Sequence, residues 1–140
     1  MHKCPDHVLL VTSSPFRSDD PLQDALAAPG AGVTTAPTCR DARRMIRNGV
    51  RFDVIVCDLT LPDGNWSDVM RDVIETSNNA CVVIRAPDAD QRLWSEALWR
   101  GAYDILVEPY SREEAQRTLE GAARATEMLA LVRRPSMAVS

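Results

Sequence analysis

Long apolar runs are missing from this 140-residue chain: none approaches the ~20 residues of a membrane span, and Met1 to Asp6 has no apolar signal-peptide core. A cytoplasmic protein with no membrane contact is expected. Cysteines at metal or redox spacing are missing too. Cys4, Cys39, Cys57 and Cys81 form no CxxC, and Cys57 and Cys81 stand in apolar runs where small buried thiols belong. All four read as free thiols, which leaves neither a disulfide framework nor a metal site. Positive charge is not in excess: the net charge of −4 argues against a nucleic-acid-binding face. Lysine is nearly absent, Lys3 being the only one among sixteen Lys and Arg residues. There is no internal repeat, low-complexity tract or linker. What is there is ordinary, 45% hydrophobic and 26% charged, in a length that suits one domain with one sizeable core.

The chain is organised around Asp53-Val54-Ile55-Val56-Cys57-Asp58, followed by Leu59-Thr60-Leu61 and the turn signals Pro62-Asp63-Gly64. A short β-branched run closed by a turn reads as a strand buried on both faces. Before it come a strand Val8–Val11, a short helix opened by Asp20 and Pro21, a strand Val33–Ala36 and a helix of about 40–48 capped by Thr38. After it come a helix opened by Asn65 or Ser67, a strand Cys81–Ile84, and a helix started by Asp88 or Asp90. That helix is expected to turn Leu93, Trp94, Ala97 and Leu98 inward. A strand Tyr103–Val107 and a last helix with the capping box Ser111/Glu114 complete the chain. Five strands alternating with five helices call for an open parallel sheet covered on both faces. In such sheets the ligand crevice lies outside the carboxyl ends of the strands, so Asp58 either serves chemistry there or caps the turn. His2 and His7, in or beside a terminal segment, read as solvated.

Two stretches resemble the receiver domain of bacterial two-component response regulators. Asp58-Leu59-Thr60-Leu61-Pro62-Asp63-Gly64 is similar to the family's phospho-acceptor loop. Gly101-Ala102-Tyr103-Asp104-Ile105-Leu106-Val107-Glu108-Pro109-Tyr110 is similar to its Gly-Ala-x-Asp-aromatic-Leu-x-Lys-Pro-aromatic run. The resemblance implies a (βα)5 flavodoxin-like fold over residues 1–125, with 126–140 an extension of the last helix and a flexible tail. It makes Asp58 the phospho-acceptor position and the Thr60 carbonyl a Mg²⁺-ligand position. It also exposes departures. Thr12 and Ser13 align to the family's acidic metal pair, and neutral hydroxyls replace charged oxygen ligands poorly. Asp19 and Asp20, at a helix start, are not expected to stand in for them. Glu108 replaces the lysine that pairs with the phosphoryl group, a charge reversal beside Asp58. Ala86 and Ile105 align to the switch hydroxyl and switch aromatic, and lack both. Trp66 aligns to a glycine. Pro109 implies a cis bond after Glu108. Arg85 would supply a cation to Asp58 or Glu108 if it turned inward, but strand alternation is expected to point it away.

The expectation is a degenerate, non-enzymatic receiver that works through protein contacts with little or no Mg²⁺-dependent phosphorylation. No cofactor is then needed; Mg²⁺ enters only in the alternative of a conventional receiver. Its partners would be a histidine kinase, an output domain or another regulator. Homodimerisation is a further option, through the face of the fourth helix, fifth strand and fifth helix. On that fourth helix Trp94 and Trp99 lie about 140° apart, so Trp99 should be exposed. The last helix, long enough to reach Arg134, would serve a dimer or a linker. A third reading is a small flavin- or nucleotide-binding domain, which would want a Gly-rich loop where Thr12-Ser13-Ser14-Pro15 stands.

Overall fold

Residues 7–14, 20–26, 32–76 and 78–132 are described by the computed structural model. In chain order the elements are β1 (His7–Val11), α1 (Pro21–Leu26), β2 (Gly32–Ala36), α2 (Cys39–Arg47) and β3 (Val54–Asp58). Next come β4 (Thr60–Leu61), β5 (Gly64–Asn65), α3 (Trp66–Glu75) and β6 (Cys81–Ala86). The last three are α4 (Gln91–Trp99), β7 (Asp104–Val107) and α5 (Arg112–Val132). Five strands form one parallel sheet in the order β2-β1-β3-β6-β7, with β3 at its centre.

Alternation along each strand splits the core in two. Leu9, Val11, Ile55, Cys57, Val82 and Ile84 point to the face covered by α2, α3 and α4. Val8, Leu10, Val54, Val56, Val83 and Leu106 point to the face covered by α1 and α5. Both sides of β3 are therefore dry, which is why it reads as an unbroken apolar run.

Polar residues fix where the helices begin. The Thr38 hydroxyl accepts from Asp41 N, and Asp63 reaches across to accept from Cys39 N at 2.8 Å and Arg40 N at 3.1 Å. Those backbone donors, Cys39 N foremost, hold the Asp63 carboxyl below the usual carboxylate range. Asn65 opens α3 with a capping box shared with Asp68, Asp90 caps α4, and Ser111 with Glu114 caps α5. Gly101, at φ +98°, turns the chain out of α4 in a conformation that other residues resist.

Several expectations need correction. Leu98 is 53% exposed and not inward, because fully buried Ala97 brings α4 close to the sheet and leaves room only for Leu93 and Trp94 beside it. Trp99, by contrast, is 89% exposed, as its place on the helix implies. The hairpin β4–β5 has strands too short to carry a period. Strand β6 runs on to Ala86, past the charged residue that looked like its end. His7 is not simply solvated: its Nδ1–H donates to Arg51 O, and Nε2 lies 3.0 Å from the Thr34 hydroxyl. On α5, Thr126 is buried and Leu129 packs on the α1/α5 core, so contact with the sheet continues past residue 125. Cys39, Cys57 and Cys81 are free and buried, whereas Cys4, His2, Lys3, Arg17 and Asp19 lie outside the described residues.

Candidate crevice at the strand ends

Beyond the carboxyl end of β3, five side chains converge: Thr12, Asp20, Asp58, Arg85 and Tyr110. Register puts Asp58 opposite Arg85. Partners in a parallel pair share a face, so both project toward the α1/α5 side, as does Thr12 just past β1. Arg85 Nε donates to Asp58 Oδ1 at 2.8 Å, Nη2 to the Thr12 hydroxyl at 3.0 Å, and Nη1 lies 3.4 Å from Asp20 Oδ2. The Thr12 hydroxyl donates to Asp58 Oδ2 at 2.5 Å. Both Asp58 oxygens are thus engaged. Asp20 Oδ1 accepts from Leu22 N at 2.9 Å, capping α1, and from the Tyr110 hydroxyl at 3.1 Å.

Arg85 is 8% exposed. Burial works against its charge, and the hydrogen bond and charge of Asp58 outweigh it, holding the guanidinium above its ordinary pKa. Burial, then the charge of Asp20, push the Tyr110 phenol up to about 12. A buried ion pair of this kind is costly to dehydrate, so its presence is a weak argument for stability and a better one for a specific role.

The crevice over these groups has a volume of about 660 Å³ and is lined by Asp20, Asp58, Thr60, Arg85, Glu108 and Tyr110, among others. Glu108 stands exposed at its rim, its N–H donating to Ala86 O at 2.9 Å, and the Glu108–Pro109 bond is cis. The expected pairing changes in three ways. Arg85 does turn inward, onto Asp58, since alternation counted through the register puts it there. Asp20 reaches the crevice while still capping α1. Ala86 and Ile105 do not face the crevice at all; both are buried in the opposite core. Ser13 is exposed and outside the lining, while Thr12 is buried. Trp66 is the first residue of α3, packed in the core with Arg100 5.9 Å above its ring.

A divalent cation fits this set poorly. It would need charged oxygens free to close around it, whereas Asp58 and Asp20 are committed to Arg85, and Thr12 is neutral. No group of three or more His, Cys, Asp or Glu among the described residues could hold a metal ion.

Asp20 and Tyr110 leave no sequence signal for their place in this cluster, whereas for Arg85, already a candidate cation for Asp58, strand parity holds one. Thr12, Asp58 and Arg85 each lie an even number of residues beyond the apolar positions that face α1 and α5. Away from the crevice, a second cavity of about 480 Å³ opens between α4, β7 and α5, lined by Trp94, Tyr103, Ile105, Glu114 and Arg117 among others. Gly121 makes room there: a Cβ at 121 would sit 2.5 Å from the Tyr103 hydroxyl.

No family model matches the chain. Among curated proteins it is similar to the transcriptional regulatory protein CitB of Klebsiella pneumoniae, 34% identical over 92 residues, covering 66% of this chain and 39% of CitB. It is also similar to the chemotaxis protein CheY of Thermotoga maritima, 24% identical over 82 residues, covering 57% of this chain and 68% of that one. The chain therefore spans well under half the length of CitB. Among solved structures, a CheY-like response regulator receiver domain from Methanospirillum hungatei superposes with a TM-score of 0.73 at 17% identity, over 89% of this chain and 98% of that one. The receiver domain of the sensor histidine kinase PA1611 of Pseudomonas aeruginosa, with a magnesium ion in its active-site cleft, gives 0.72 at 25% identity, over 85% and 98%.

Proposed function

We propose that this chain, a receiver domain of two-component signalling by its relatives and its fold, is a degenerate one that signals through protein contacts without Mg²⁺-dependent phosphorylation. The observation that carries this reading is the 2.8 Å contact of buried Arg85 with Asp58. A nucleophilic carboxylate needs an oxygen free to attack, and here one oxygen holds a guanidinium and the other a hydroxyl. The charge that a metal and a lysine would otherwise balance is met inside the chain. Glu108, at the lysine position, adds repulsion toward any incoming phosphoryl group.

The partners of this reading are a histidine kinase, an output domain or another regulator, met in the cytoplasm with no cofactor and no nucleic acid at this domain. The face of α4, β7 and α5 is the surface for them or for a second copy of the chain, with Trp99 at its edge, since exposed aromatic side chains suit interfaces. Incubation with a small phosphoryl donor and Mg²⁺, followed by intact-mass measurement, tests the reading. No added phosphoryl mass is expected on the parent. Ready modification of Asp58 in the parent would make this a conventional phospho-accepting receiver.

A further inference from the structure

Resting on that reading of the Arg85–Asp58 pair, we propose that Tyr110 is a positioning residue: by its own contact with Arg85 and through Asp20 it holds Arg85 against Asp58, and so ties the start of α5 to the crevice. The Tyr110 ring lies in the α1/α5 core with Leu106, Ala115 and Leu119, so the surrounding packing fixes where its hydroxyl points. That hydroxyl donates to Asp20 Oδ1 at 3.1 Å, and the other oxygen of Asp20 faces Arg85 Nη1 at 3.4 Å. The second contact is the longest in the series Asp58–Arg85–Asp20–Tyr110, and it depends most on where the Asp20 carboxylate is held. Two donors hold it, Leu22 N from α1 and the phenol from the loop before α5. Tyr110 immediately precedes Ser111, the cap of α5. A side-chain chain thus crosses from the end of β3 to the first turn of α5. Ala86 has no hydroxyl and Ile105 no ring, and both face the other core, so neither offers a second path.

Coupling of this kind is reciprocal: what Tyr110 does for the Arg85–Asp58 pair, that pair does for Tyr110. The test uses the nitrogen-15-labelled full chain, following the Arg85 Nε–H resonance and its exchange with solvent, which reads local opening of the pair. Tyr110→Phe keeps the ring and removes the hydroxyl. Its Arg85 Nε–H should exchange about tenfold faster, the ratio that a hydrogen bond to a charged group is worth. Amides of Val54–Cys57 should keep parental protection, which shows that the fold is intact. If Tyr110→Phe disturbs those amides, the reverse direction, read at Tyr110 and Ser111, carries the test. In the reverse direction, Asp58→Asn should shift the amide resonances of Tyr110 and Ser111. Parental Nε–H exchange in the folded variant, or unmoved Tyr110 and Ser111 signals in Asp58→Asn, would overturn the proposal. Phosphorylation of the parent would contradict the proposed function and leave this coupling in place, so the two failures are distinguishable.

Discussion

At the carboxyl ends of the strands a guanidinium joins β3, β6 and the start of α1 through charge; at the amino ends a threonine hydroxyl joins β3, β6 and α5 through neutral groups. There Thr126 Oγ1 accepts from Cys81 N at 2.9 Å and lies 2.6 Å from Asp53 O. Arg85 and Thr126 are both buried, and each bridges three elements. The neutral one satisfies backbone groups that would otherwise lie unpaired, which is a sufficient reason for it to exist. The charged one satisfies groups that an apolar sequence would not have put there. Function belongs at the charged end: the amino end is built for folding, while the carboxyl end retains a dehydrated charge that folding alone does not require.

The comparison breaks most visibly at Arg85. Arg85→Met leaves Asp58 and Asp20 facing each other across the crevice, and urea unfolding should show a loss of about 3 kcal/mol, the low end for breaking a buried pair because both carboxylates keep some water contact. A loss smaller than that of the neutral knot would remove the contrast. Thr126→Val comes next, with about 1–2 kcal/mol for leaving the Cys81 N–H without its acceptor. Raising the salt concentration should shrink the first effect more than the second.

Alkaline titration sharpens the charged end further. In a Tyr103→Phe background, ultraviolet difference absorption should place Tyr110 ionisation near the raised value of about 12, above the ordinary 10. A raised pKa means that the folded chain holds this proton more tightly. The stability contribution is therefore whole below pH 10 and lost as the pH rises through about 12. Smallest is Glu108→Gln. Glu108 is exposed and Arg85 is turned to Asp58, so stability should change by less than about 0.5 kcal/mol.

Much of this was legible from residue order. The run from Val54 to Asp58 and the punctuation around it set the sheet, because strands buried on both faces leave an apolar record in sequence. The caps Thr38 and Ser111 are legible for a different reason, each being a local contact within three residues, and Asn65 and Asp90 are legible only as one of two neighbouring candidates. Arg85 could not be placed until the β3–β6 register was known, and its inward turn depends on an acid twenty-seven residues away in the chain. Asp20 was harder still, since one side chain serves a helix cap and a distant guanidinium, and only the first use leaves a local signature. Thr126 gave no warning either: a threonine inside a long helix bonds the ends of two strands only because that helix lies across them.

Titration of Mg²⁺ into the parent and into Arg85→Gln, followed by calorimetry and tryptophan fluorescence, tests most directly whether an internal guanidinium stands in for external cations. Arg85→Gln frees the carboxylates of Asp58 and Asp20, and it should respond more strongly to the metal than the parent. The parent should show no saturable response at millimolar Mg²⁺. A saturable response in the parent that disappears in Asp58→Asn would contradict the account.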